Sequence, residues 1–132
     1  MDITSNPRVR VLQDLVCSTA ADVYADLGWG WREDVYREAL ATELRCAGVD
    51  CRCELTVPVM YKGKPLPYVS VRIDMLLDNC VVVELKAVSS VLPTKAVRQC
   101  ERYVANMPDV TSGVTINFPD APGRDIEHYV QN

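Results

Sequence analysis

Residues Cys80 to Ala87 read CVVVELKA, and the fold turns on this run. Three valines and Leu85 suit a strand buried in a sheet, yet Glu84 and Lys86 are set into its end. Residues i and i+2 of a strand point to one face. An acid and a base therefore stand side by side where apolar residues would bury more easily. The run upstream, RIDMLLD (Arg72 to Asp78), alternates in the same way. Ile73, Met75 and Leu77 form one face, with Arg72, Asp74 and Leu76 on the other. In the second run Val81, Val83 and Leu85 lie opposite Val82, Glu84 and Lys86.

Matching apolar face to apolar face in a hairpin requires paired residue numbers with an even sum. A two-residue loop at Asp78-Asn79 gives an odd sum. A three-residue loop, Asp78-Asn79-Cys80, gives the even sum and sets Asp74 opposite Glu84. Directly opposed Cβ atoms are only ~5 Å apart. Two carboxylates there repel unless a cation or a shared proton lies between them. Arg72 and Lys86 are expected to flank the pair on the same face. The competing reading is a solvated sheet face with cross-strand salt bridges.

Outward from this hairpin, the chain reads as ααβββαβ, an α/β sandwich with a mixed sheet. Leu12, Val16, Ala20 and Val23 recur at helical spacing between about Val9 and Leu27, and Gly28 stops that helix. A second helix is expected from Trp31 to Ala47, with Val35, Ala39, Leu40 and Leu44 as its inner stripe and Gly48 as its stop. CRCELTVPVMYKG, VSVRIDMLLD and CVVVELKAV read as three strands, with GKPLP and DN as the turns between them. Pro93 opens a third helix through about Asn106, GVTINF is a fourth strand, and DIEHYV is a weak final one.

At 132 residues, with 48% hydrophobic and 24% charged residues, the chain reads as one soluble globular domain, residues 1–132. No apolar run approaches the ~20 residues that span a bilayer. MDITSNPRVR lacks the features of a secretory signal. The expectation is an intracellular protein, cytoplasmic or nuclear. Cys17, Cys46, Cys51, Cys53, Cys80 and Cys100 contain no CxxC pair. Reduced, mostly buried thiols are expected, with a metal site at Cys46, Cys51 and Cys53 as the alternative. A formal charge of −4 argues against a protein that coats nucleic acid at large, and no basic arm offsets it.

Asp74, Glu84 and Lys86 match the D…(D/E)-x-K core of the PD-(D/E)XK nuclease superfamily. GWREDVY supplies G-x-x-E-x-x-Y through Gly30, Glu33 and Tyr36, and resembles the GxxExxY family within it. In order there follow EAL and EL with Gly48, YKG at Tyr61 to Gly63, and R-x-D at Arg72 and Asp74. VELKAV, Gln99 with Tyr103, and INF at Ile116 to Phe118 complete the series. The resemblance runs over about residues 28–118. Ile73 and Pro119 depart from the proline or small residue and the glycine often found there, and neither is a ligand position.

The resemblance implies a restriction-endonuclease-like αβββαβ core, with the first helix as an extra N-terminal element. It implies Mg²⁺, with Mn²⁺ as a substitute, held by Asp74, Glu84 and Glu33. Lys86 would assist the attacking water and the charged transition state, and Gln99 would position substrate or water. Without the resemblance, Glu33 reads as a helix-start acid favoured by the dipole and Gln99 as a surface glutamine. Tyr36 and Tyr103 read as packing residues and His128 as incidental. Trp29 and Trp31 are expected to wedge the second helix's start into the core rather than stack on bases. The function expected is a nuclease hydrolysing phosphodiester bonds, of DNA rather than RNA, with a homodimer or a partner protein supplying target selection. The alternative is a catalytically silent nuclease fold that binds nucleic acid or serves assembly.

Overall fold

The computed structural model describes residues 6–131. Part of the N-terminal stretch read above for a secretory signal lies outside them. Helix α1 (Pro7–Leu27) begins with proline at its first position. The Asn6 side chain accepts from the Arg8 and Val9 amides, a normal N-cap for donors that have no partner inside the helix. Leu12, Val16, Ala20 and Val23 are buried as their spacing predicts. Helix α2 spans Glu33–Cys46, two residues shorter at its start than expected. Its buried stripe is Tyr36, Leu40, Ala41 and Leu44, whereas Val35 and Ala39 are only half-buried. Tyr36 sets this rotation. Its ring stacks on Phe118 with centroids 4.4 Å apart, and its hydroxyl donates to the Gly28 carbonyl at 2.6 Å.

Five strands follow in spatial order β1-β2-β3-β4-β5: β1 (Cys51–Tyr61), β2 (Lys64–Leu77), β3 (Val81–Lys86), β4 (Ser112–Asn117) and β5 (Glu127–Gln131). Helix α3 (Thr94–Asn106) connects β3 to β4, which run parallel, and the other neighbours are antiparallel. The sheet is therefore mixed, and the weak final strand is real. Helices α1 and α2 cover one face through Met75, Leu77, Val81, Val83 and Leu85. Helix α3 covers the other through Leu76, Val82, Cys100 and Tyr103. Central strand β3 is buried on both faces from Val81 to Leu85, which explains its unbroken valines.

The β2–β3 loop is Asp78-Asn79-Cys80, and Leu77↔Val81, Leu76↔Val82 and Met75↔Val83 have the even sum the patterning demands. Asp78 ties this turn to the helical layer. Its carboxylate accepts from Arg8 Nε at 2.8 Å and from the Asp50 amide at 2.9 Å. Between β1 and β2 the turn is Lys62-Gly63, both at positive φ, as tight hairpins favour. The stretch read as a turn, GKPLP, thus lies mostly inside β2. Its prolines are tolerated because β2 has no second partner there: it pairs with β3 only at Met75 to Leu77. Beyond Val57 and Ile73, which pack under α3, β1 and β2 pair only with each other and extend as a two-stranded arm to the Lys62-Gly63 turn.

Helix α3 crosses close over β4 at Gly113. A Cβ at Gly113 would come within 2.6 Å of Cys100 Sγ and 2.9 Å of Val104 Cγ2. Gly113→Ala is expected to destabilise the protein by about 1–3 kcal/mol, the usual range for overpacking. A melting temperature unchanged from wild type would contradict this close approach.

No disulfide joins the cysteines, but burial is less general than the sequence implied. Cys51 and Cys100 are buried, Cys17, Cys53 and Cys80 are half-buried, and Cys46 is exposed at the end of α2. Burial pushes the Cys51 and Cys100 thiols up to about 12, so both stay protonated at neutral pH. Cys46 is expected to react first with a maleimide in the native protein. Mass spectrometry finding another cysteine labelled ahead of it would contradict the exposure pattern.

Candidate active site

The β2–β3 ladder stops at Met75↔Val83, and the next position on each strand is an acid. Side chains replace the missing ladder bonds. The Leu85 amide donates to Asp74 Oδ2 at 2.7 Å, and the Asp74 amide donates to Glu84 Oε1 at 3.2 Å. The strands part here, and both carboxylates sit in the opening. On the other side of β2, Glu54 occupies the left-handed region at φ 52°, between the pairs Cys53↔Met75 and Leu55↔Ile73.

The alternation of β2 slips at this point. Ile73 packs in the α3-side cluster with Leu76 and Val82 instead of sharing a face with Met75 and Leu77. Arg72 does not flank the acid pair as expected. It turns toward Glu54 at 3.5 Å, and Arg37 meets the same carboxylate at 3.2 Å. Glu54 thus draws away a guanidinium that the pattern had assigned to the site.

Glu84 is only 5% exposed. Burial, and then the charge of Asp74, push its carboxyl up to about 8. Glu33 stands in the first turn of α2. Its carboxyl is raised by burial first and by Asp74 second, while Lys86 and Arg37 pull it back. The α2 start therefore lies within electrostatic reach of the pair and of the lysine. Lys86 follows Glu84 on the same strand and lines a groove along α3 that also contains Gln99. Gln99 is exposed and donates to the Tyr103 hydroxyl at 2.8 Å. Among the described residues, no three His, Cys, Asp or Glu side chains gather into a group that could hold a metal ion. Glu33 thus feels the charge of Asp74 without closing a cage with the pair, and Cys46, Cys51 and Cys53 form none.

Tyr36 and Tyr103 are core residues, as expected. The tryptophans are not wedges: Trp29 and Trp31 are each about half exposed, and Trp31 Nε1 donates to the Leu27 carbonyl at 3.0 Å. His128 is exposed on β5. A residue given no role from sequence is Asn117, opposite Lys86 in the parallel ladder and fully buried. Its amide group accepts from the Val88 N–H at 3.0 Å and donates to the Ser90 carbonyl at 3.2 Å and to Glu127 at 3.0 Å. It pins the segment that leaves Lys86. The available signal was an asparagine set between Ile116 and Phe118.

A parted strand pair with two carboxylates at the break and a lysine two residues on defines a class, and the sequence comparison agrees with it. The model of the PD-(D/E)XK nuclease superfamily matches residues 10–129. The chain belongs to that superfamily. No curated protein matches its sequence. Among solved structures, the crystal structure of SSO0001 is similar in fold, with a TM-score of 0.55 at 22% identity. The match covers 76% of this chain and 50% of that one, so this chain spans about half the length of the other.

Proposed function

We propose that this chain is a Mg²⁺-dependent nuclease of the GxxExxY group that hydrolyses phosphodiester bonds, in DNA rather than RNA. The observation that carries this reading is Glu84, 5% exposed, in the same strand opening as Asp74. Burying one carboxylate beside another is costly unless a cation or a proton compensates. A fold with no use for the pair would be more stable with an apolar residue there. Oxygen donors of this kind suit a hard divalent cation. Asp74 and Glu84 would hold it, with Glu33 completing the acidic set. Such an ion, when bound, neutralises phosphate charge and lowers the pKa of water.

The chain's own residues supply the rest. The Leu85 and Asp74 amides fix the two carboxylates, so their orientation is set before substrate arrives. Lys86 brings a positive charge to hold the attacking water and to offset charge that grows on the phosphate oxygens. Gln99 positions substrate from α3, with its amide steadied by Tyr103. Asn117 holds the segment after Lys86 and so keeps the lysine's backbone in place. The reading further takes residues 1–132 as one domain in an intracellular protein. Among the described residues no helix is long and apolar enough to cross a membrane.

A second reading keeps the nuclease fold for nucleic-acid binding or protein assembly without turnover, in a homodimer or with a partner. One observation favours it: among the described residues the three acids do not gather as a ready-made cage. Calorimetry with Mn²⁺ separates the two. Binding at one site per chain that is lost in Asp74→Asn supports the first. Heats identical in wild type and Asp74→Asn would remove the acid pair from the account.

A further inference from the structure

Between the projecting β1–β2 arm and helix α3 runs a groove of about 740 Å³ that Lys86 also lines. Three further cations line it, Lys95, Arg98 and Arg102, and no carboxylate does among the described residues. Their spacing places them on one side of α3, with Gln99 among them. All three are exposed, and none is ion-paired among the described residues. The start of α3 has neither a side-chain cap nor an acid in its first turn, so its positive end is left unneutralised beside Pro93 and Lys95. The net charge of −4 lies elsewhere. Asp22, Asp26, Asp34, Glu38 and Glu43 line a separate groove between α1 and α2.

The interior of the basic groove is apolar. Val59 and Val71 come from the arm, and Val88, Pro93 and Ala96 from the other side. Asn106 clasps the arm to the end of α3, donating to the Pro58 carbonyl at 2.9 Å and accepting from the Met60 amide at 2.8 Å. The groove therefore has two fixed walls. A duplex presents phosphates and sugars outward and hides its base faces. An unpaired strand exposes base faces, which pack on apolar and aromatic side chains while its phosphates meet cations.

We infer that this groove is a track for single-stranded nucleic acid, with the phosphates on Lys95, Arg98 and Arg102 and the bases against its apolar interior. The inference deepens the nuclease reading and rests on it for the direction of the track, which runs toward Lys86. It makes Arg98 and Arg102 substrate-binding residues and the arm a wall of the binding site. Unpaired DNA and unpaired RNA share this chemistry, and the arms of the test distinguish them.

The test is fluorescence anisotropy in EDTA, using labelled single-stranded DNA, single-stranded RNA and duplex DNA of equal length, across a salt series. Wild type is expected to bind a single strand more tightly than the duplex, and the better of the two strands identifies the sugar. Arg98→Gln/Arg102→Gln should weaken single-strand binding on the order of tenfold or more. It should also flatten the salt slope by about 1.4, at about 0.7 for each phosphate left without its arginine. Arg10→Gln/Arg52→Gln removes the same charge from exposed residues that do not line the groove and should change binding less than about twofold. Tighter binding of duplex, equal weakening in both double variants, or no binding of any strand overturns the inference. Groove-dependent binding by a wild type that never cleaves keeps the track and removes the nuclease reading. Cleavage unaffected by Arg98→Gln/Arg102→Gln keeps the nuclease and removes the track.

Discussion

Purified protein supplied with Mg²⁺ or Mn²⁺ will cleave nucleic acid, and Glu84→Ala and Asp74→Ala will each abolish the cleavage. Phosphodiesters resist attack because their own negative charge repels nucleophiles. A site that lowers that barrier must bring positive charge to the phosphate and generate a nucleophile near neutral pH. Asp74 and Glu84 are the two acids that the β2–β3 register places at the strand opening, so each deletion removes half of the pair. Lys86→Ala should lower the rate by on the order of a hundredfold or more, the usual drop when one preorganised stabilising group is removed. Gln99→Ala should cost less, since Gln99 is exposed and its bond in the free protein is to Tyr103. All four variants should fold: removing Asp74 or Glu84 relieves like-charge repulsion in the metal-free protein, and Lys86 and Gln99 are half-buried and exposed. The readout is disappearance of labelled single- and double-stranded DNA and RNA on a denaturing gel. Intact substrates in every lane, or a Glu84→Ala protein as active as wild type, would hand the fold to the binding-module reading.

How far the sequence reached depended on the kind of constraint at each place. The β2–β3 register was legible because parity leaves no middle ground. Only an odd-numbered loop keeps Met75, Leu77, Val81 and Val83 on one face, and the chain makes the three-residue one. What failed was local geometry set by distant partners. Ile73 changes face together with its partner Leu55 on β1, just past Glu54, which takes a left-handed conformation. The rotation of α2 depends on Phe118, far along the chain, which stacks on Tyr36. Pro65 and Pro67 looked like turn residues because nothing in the sequence announces that β2 outruns β3. The basic groove was hidden for a different reason. Lys95, Arg98 and Arg102 are not a run, and only a helix brings them to one side. They form no contiguous basic arm, although their i, i+3, i+7 spacing is plain in the sequence.

The acid pair should also make the metal-free protein less stable as pH rises. Glu84 has its carboxyl raised in the folded state to about 8, by burial and by Asp74, above its ordinary value of 4.5. Between those two values the folded state holds a proton that the unfolded chain has released. Stability then falls with rising pH, from about 4.5 up to about 8, and levels off above. Glu33, raised by burial and by the same aspartate, acts in the same direction. In EDTA, wild type should lose on the order of 2–4 kcal/mol of stability between mildly acid and mildly alkaline pH, read as a falling midpoint in urea titrations. Glu84→Gln should remove most of that decline. The substituted amide keeps an oxygen to accept from the Asp74 N–H and gains an N–H₂ group to donate to the Asp74 carboxylate. At alkaline pH the variant should therefore be more stable than metal-free wild type, and at mildly acid pH about equal to it. Adding Mn²⁺ should close the gap from the wild-type side, because a ligand that binds only the folded state raises its stability by mass action. The same addition should leave Glu84→Gln unmoved. A flat wild-type profile in EDTA would mean the two carboxylates share no strained environment. A variant as pH-sensitive as wild type would place the origin of the effect away from Glu84.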